Sequence, residues 1–165
     1  MRPWKDLNRP RLYGSDNEFL LLKRYRVKLA FAEFSINKPN SPFHYENEKF
    51  DLIYAISVFA HLTEAMGTFW KGELCRVLKP SGIMCLTFMG TTRAPGLCRE
   101  LRKEFESEQL VVTGEEHAGR IICAAFHPEQ DVRTMFARGF RVPDSVLGGA
   151  TGAFQDVHLL QKRNA

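Results

Sequence analysis

The stretch FDLIYAISVFAHLTEAMGTFWKGELCRVLKPSGIMCLTFMG, residues 50–90, decides the fold. Residues 52–60 form an almost unbroken apolar run, the pattern of a strand covered on both faces of a parallel sheet. Thr63 can accept hydrogen bonds from the open amides of a following helix, and Glu64 suits that helix's positive end. Met66, Phe69, Trp70, Leu74, Val77 and Leu78 recur at helical spacing and define one apolar face. Arg76 and Lys79 complement the negative end, Pro80 stops the helix, and Gly82 permits a tight turn into a second strand at 83–89. Strand, helix and strand in this order predict a βαβ unit. Ligands of parallel α/β sheets lie off the carboxyl ends of the strands, so residues 57–63 and 90–94 are expected to border one pocket.

Outward from this unit, residues 17–29 read as a helix with Leu20, Leu21, Tyr25 and Leu29 available for burial, and 30–36 as a strand. Residues 37–48, with Pro39, Asn40, Ser41 and Pro42, carry loop chemistry. Downstream, a helix at 95–105, a short strand at 110–113, a polar turn at 114–119 and a strand at 121–126 are predicted. Pro128 suits a first helical position, Glu129 and Asp131 favour that helix's start, and Gly139 marks its end. Residues 140–142 and 154–161 are expected to finish the sheet as an antiparallel edge pair around the glycine-rich loop 148–152. GGATGAF is followed by a strand pattern, so no helix N-terminus stands behind it to hold a phosphate; it reads as a hairpin loop.

With 165 residues, 44% of them apolar, the chain can bury one core, and residues 1–165 are read as a single domain. The net charge is +4, and residues 1–28 hold eight Lys and Arg against three acids. That stretch lacks regularly interleaved stacking aromatics, so a solvated helix face is expected there and no nucleic-acid partner. Cys75, Cys85, Cys98 and Cys123 have no CxxC spacing and read as reduced, packed thiols, without a disulfide or metal site. There is no apolar signal core at the start and no run near the roughly 18 residues of a membrane span, so a cytoplasmic protein without a membrane partner is expected.

The same residues carry a resemblance. FDLIYAISVFAHL, the EL-RVLKPSG segment and LTFMG resemble the second half of the class I S-adenosylmethionine-dependent methyltransferases, in which a strand opening with FD precedes a helix ending in LKPGG. LYGSDNEFLLLKRYRVKLAFAEFSIN is similar to that family's second strand with its terminal acid, next helix and third strand. ICAAFHPEQDVRTMF and FQDVHLLQK are similar to its last helix and closing strands, so the likeness runs over about residues 10–162. It implies an α/β fold with a Rossmann-like methyltransferase sheet, mostly parallel with an antiparallel C-terminal strand. Ser81 stands where the family usually has the first glycine after LKP.

In the family a GxGxG loop follows the first strand and brings backbone amides to the cofactor. Only about a dozen residues precede Tyr13 here, enough for a helix stub at 4–7 but not for that strand, loop and helix, so the domain is read as N-terminally truncated. The missing strand would lie centrally, between the family's second and fourth. Each buried unsatisfied group left behind would cost roughly 1–3 kcal/mol. Direct pairing of the neighbours, a strand donated by a homo- or hetero-oligomeric partner, or poor folding in isolation are the available outcomes.

The candidate site residues follow from strand ends and from the resemblance. Asp16 ends a strand, where a carboxylate can accept from both ribose hydroxyls of a nucleoside cofactor, as the family implies, or can cap the next helix. Asn17 is its neighbour. Asn37 matches the position at which the family touches the adenine amino group, and equally suits a turn before Pro39. Ser57 and Val58 fall where the family contacts the methionine part of S-adenosylmethionine. His61 can serve as a general base on an acceptor hydroxyl or amine, or can simply pack its loop. His127, before Pro128, reads as a cap or turn residue. Asp51 and Asp156 read as structural. Phe88, Met89, Thr91 and Arg93 offer an acceptor loop without a diagnostic pattern.

Three functions are compatible with these observations. The first is S-adenosylmethionine-dependent methyl transfer to a small-molecule acceptor, which needs alignment more than covalent catalysis. The second is a non-catalytic methyltransferase-like partner subunit. The third is a remnant of a nicotinamide-dependent reductase, against which the FD strand, the LKPSG turn and the closing antiparallel pair count.

Overall fold

The computed structural model describes residues 10–136, 138–147 and 154–164. The chain divides into two compact units, Met1–Phe43 and His44–Ala165.

In the first unit, β1 (Leu12–Asp16) and β2 (Ala32–Ile36) form a parallel pair in which Asp16 faces Ile36. Between them runs α1 (Phe19–Lys28). Its first turn is capped by the Glu18 carboxylate, which accepts from the Leu20 amide at 3.2 Å. The apolar face differs from the one expected: Leu22 is buried, whereas Leu20, Leu21 and Tyr25 are exposed. Leu22, Tyr25, Arg26 and Leu29 follow one another at helical spacing. The Tyr25 ring lies 5.9 Å from that of Phe34, and the Arg26 guanidinium donates to the Phe34 carbonyl at 2.9 Å. Contact with β2 thus sets the face, and the leucine run 20–22 alone does not specify it.

The second unit is built on a four-stranded sheet ordered β3-β4-β8-β7. β3 (Phe50–Ala55) runs parallel to β4 (Leu78–Phe88), and α2 (Glu64–Val77) connects them. Thr63 caps α2 by accepting from the Met66 amide, and Gly67, Trp70, Leu74 and Val77 are buried. The βαβ unit is therefore as expected, with two differences. The helix passes into β4 at Leu78 without a separate turn: Leu78 pairs Phe50, Ile83 pairs Leu52, and the residues between bulge out of the ladder. Ser81 in that bulge has φ +59°, and a β-carbon on Gly82 would come within 2.8 Å of the Leu78 side chain and the Lys79 carbonyl.

The second difference is burial. The strand at 52–60 was expected to be covered on both faces, yet Leu52, Tyr54, Ile56 and Val58 are each about two-fifths exposed. β3 pairs with β4 alone, and no strand lies on its other side among the described residues. An apolar run reports what a strand is suited to cover; its position at the edge of this sheet comes from strand order.

Past β4, α3 (Arg99–Glu106) precedes an antiparallel pair, β5 (Val111–Thr113) with β6 (Ala124–Phe126). Ile121 and Ile122, expected in the latter strand, are exposed before it. α4 (Glu129–Phe136) follows, and Gly139 at φ +87° leads into β7 (Phe140–Val146). β8 (Asp156–Lys162) runs antiparallel to both β4 and β7, the closing geometry expected. The loop 148–152 lies outside the described residues. The core of this unit is aromatic. Phe59 lies 5.2 Å from Phe88 and 6.2 Å from Phe136, and Phe136 lies 5.7 Å from Phe140, centroid to centroid. No helix among the described residues is long and apolar enough to cross a membrane.

Candidate functional site

After β3 the chain must leave the sheet, and Ser57 does so at φ +57°. That conformation is held by hydrogen bonds. The Ser57 amide donates to Thr87 Oγ1 at 2.8 Å, the Ser57 hydroxyl donates to Gln155 Oε1 at 3.0 Å, and the Thr87 hydroxyl donates to the same oxygen at 2.7 Å. Thr87 and Gln155 are buried, so these bonds act in a poorly solvated setting. Val58 is exposed, and the next two residues, Phe59 and Ala60, drop into the core. Phe59 thereby anchors the short 3-10 turn Phe59–His61 and fixes where His61 emerges.

His61 lines a cavity of about 370 Å³ together with Met89, Arg93, Gly96, Ile121, Ala124 and Phe126. The expectation that 57–63 and 90–94 border one pocket is met by His61 and Arg93. The His61 Nδ1 atom is 2.7 Å from the Cys123 carbonyl oxygen. A carbonyl only accepts, so Nδ1 carries a proton, and Nε2 is the nitrogen left to accept one. The loop is tied down again where the Gly119 amide donates to the His61 carbonyl at 2.7 Å.

Other expected residues are placed differently. Of the loop residues after β4, Met89 and Arg93 reach the cavity, whereas Phe88 is fully buried in the core and Thr91 is exposed elsewhere. Asp51 is a surface residue paired with Lys79 at 2.7 Å, in line with a structural role. Asp156, grouped with Asp51 from the sequence, is instead buried at the carboxyl end of β4, opposite Phe88. A β-carbon on Gly90 would overlap its carboxylate, with Cγ at 2.7 Å. The antiparallel sense of β8 explains this, because a strand antiparallel to β4 begins where β4 ends. Thr87, Gln155 and Asp156 were thus missed, although the expected antiparallel pairing already implied their place. His127 is buried; its Nδ1 donates to Asp131 at 2.8 Å at the start of α4, and its Nε2 has no partner among the described residues. No group of three or more His, Cys, Asp and Glu among the described residues could hold a metal ion.

In the first unit, Asp16 and Asn37 come together at the carboxyl ends of β1 and β2. The Asn37 amide donates to the Asp16 carbonyl at 2.9 Å. The Asp16 Oδ1 atom accepts from the Glu18 amide at 2.9 Å, and the Asn37 Oδ1 atom accepts from the Ser15 hydroxyl at 2.8 Å. The local turn roles are therefore real. They leave Asp16 Oδ2 and the Asn37 side-chain amide group without a hydrogen bond among the described residues. Asn17 is exposed in the bend after β1. A carboxylate oxygen and an amide at adjoining strand ends fit the ribose and adenine of a nucleoside, whereas the sequence contains no GxGxG segment to supply the amides of a glycine loop.

The Methyltransf_11 family, described as a methyltransferase domain, matches residues 4–86, just over half of the chain. The chain belongs to the class I S-adenosylmethionine-dependent methyltransferase family. No curated protein sequence matches it significantly. Among solved structures, a methyltransferase of Methanosarcina mazei is similar with a TM-score of 0.68 at 16% identity, over 93% of this chain and 82% of that one. A Mesorhizobium loti S-adenosylmethionine-dependent methyltransferase gives 0.69 at 11% identity, over 92% and 80%. A chain from the complex of the Haloferax volcanii Trm112 methyltransferase activator with a methyltransferase gives 0.67 at 12% identity, over 99% and 77%. At these identities the likeness is one of fold, and it agrees with a Rossmann-like methyltransferase sheet closed by an antiparallel C-terminal strand.

Proposed function

We propose that this methyltransferase domain binds S-adenosylmethionine and transfers its methyl group to a small-molecule acceptor held in the cavity beside His61. The observation that carries the reading is the 2.7 Å bond from His61 Nδ1 to the Cys123 carbonyl, which leaves Nε2 as a proton acceptor on a ring lining that cavity. When bound, the cofactor supplies an electrophilic methyl carbon on a sulfonium. His61 Nε2 would take the proton of the acceptor hydroxyl or amine, the methyl carbon exchanging its bond to sulfur for one to the acceptor with the neutral thioether as leaving group; a positioned base of this kind contributes about 10²–10⁴ in rate. For S-adenosylmethionine, Asp16 Oδ2 would accept from the ribose hydroxyls, with Asn37 for the adenine edge and Asn17 beside them. Ser57 and Val58 are assigned to the amino-acid end on the family resemblance, in a loop set by Thr87 and Gln155. Titration calorimetry with S-adenosylmethionine tests the cofactor. His61→Asn tests the base: it should leave cofactor heat unchanged while slowing formation of methylated product by about 10²–10⁴. Absence of heat at millimolar cofactor refutes the reading.

A second reading, a non-catalytic partner subunit, draws on one feature: β3 is an end strand of its sheet, with Leu52 half-exposed on it and Ile56 and Val58 half-exposed just past its end. A strand from a homo- or hetero-oligomeric partner would extend the sheet there. The complex of the Haloferax volcanii relative with a methyltransferase activator is a precedent for partnership in this fold. Light scattering across a concentration series decides it. A mass of one chain at every concentration removes the homo-oligomeric form, and failure to co-purify with a complete methyltransferase removes the hetero-oligomeric one.

A further inference from the structure

We infer that the acceptor pocket is built for a small carboxylate, with Arg93 as the residue that selects it; this deepens the methyl-transfer reading above by naming the substrate class. The cavity wall is mostly apolar, with Met89, Ile121, Ala124 and Phe126 suited to a flat hydrocarbon or aromatic body. Arg93 supplies the only permanent charge among the lining residues, and His61 is the other polar group. The Arg93 guanidinium makes no ion pair among the described residues, so its donors remain for a ligand.

Its backbone, by contrast, is fixed. The Arg93 amide donates to the Gly90 carbonyl at 3.0 Å, and its carbonyl accepts from the Gly96 amide at 3.1 Å, in the turn that leaves β4. A tethered backbone with an unengaged guanidinium is a suitable clamp, because its fork matches the two oxygens of a carboxylate. Glu115 and Glu116, whose charges reach the Cys123 thiol, do not line the cavity and so do not occupy Arg93. The net charge of +4 favours approach of an anion. A ligand with a carboxylate on Arg93 and a hydroxyl at His61 Nε2 would use both polar groups and cover the apolar wall with its body. The geometry points to hydroxy-substituted aromatic or unsaturated acids.

The test measures binding without cofactor, by ligand-observed NMR, for 4-hydroxybenzoate and 4-hydroxycinnamate beside their primary amides. The acids should bind at least about tenfold more tightly than the amides. Arg93→Gln should erase the preference, and Arg93→Lys should keep part of it, since a lysine retains charge but not the fork. Equal binding of acids and amides, a preference that survives Arg93→Gln, or binding of neither class overturns the inference. A preference for acids with no heat on adding S-adenosylmethionine would refute methyl transfer and leave the pocket assignment standing. Cofactor heat without a preference would do the reverse.

Discussion

Thr87→Val probes how the loop after β3 is held. Valine keeps the shape of threonine and replaces the hydroxyl by a methyl, so packing within the buried end of β4 is retained. Two hydrogen bonds disappear: the one accepted from the Ser57 amide at 2.8 Å and the one donated to Gln155 Oε1 at 2.7 Å. Each contributes about 1 kcal/mol net, and leaving a poorly solvated amide without its acceptor costs about 1–3 kcal/mol. These terms overlap, so the expected loss is about 2–3 kcal/mol. Ser57 sits at φ +57°, a conformation its side chain disfavours, so loosening should also let that residue relax. Urea unfolding should give a midpoint lower by about 1 M with an unchanged slope. A loss below about 0.5 kcal/mol would refute the claim that this network fixes the loop. In the background Ser57→Ala with Gln155→Leu only the Ser57 amide bond to Thr87 remains, so the loss should be smaller there; an equal loss would refute the part assigned to the Gln155 bond.

Gly90→Ala must displace the buried Asp156 carboxylate and should lower stability by about 1–3 kcal/mol, read as a fall in melting temperature. Ser81→Gly should raise stability by about 0.5–1 kcal/mol, because it relieves a left-handed conformation at φ +59° and loses only the exposed 2.7 Å bond from Ser81 to Asn164. Burial pushes the His158 imidazole below its ordinary value of 6.5, against the opposing charges of Asp156 and Glu129, so the unfolded chain takes up the proton first. Stability should therefore be full above about pH 6.5 and fall as the pH drops below it. His158→Gln should flatten urea midpoints between pH 7 and pH 5. Among the thiols, exposed Cys98 should be alkylated first; buried Cys123, whose thiol is raised by burial and by Glu115 and Glu116, should react slowly.

The sequence was most informative where one element determines its own pattern. The Thr63 cap, the buried spacing of Trp70, Leu74 and Val77, and the Gly139 turn are local and were legible. What escaped depends on neighbours brought in by strand order. The apolar run in β3 does not disclose that it forms an edge, and Leu22 cannot be told from Leu20 or Leu21 without β2 beside it. The partner of His61 is a backbone carbonyl 62 positions away, so no side-chain spacing could reveal it. Asp16 and Asn37 were legible as strand-end residues, and their meeting follows from the parallel register of β1 and β2.

The most direct measurement is a calorimetric titration of the chain with S-adenosylmethionine, repeated on Asp16→Asn. The expected result is saturable heat with one site per chain, weakened about tenfold by the substitution through loss of a charge-assisted hydrogen bond. Absence of heat up to millimolar cofactor, or heat that Asp16→Asn leaves unchanged, would contradict it.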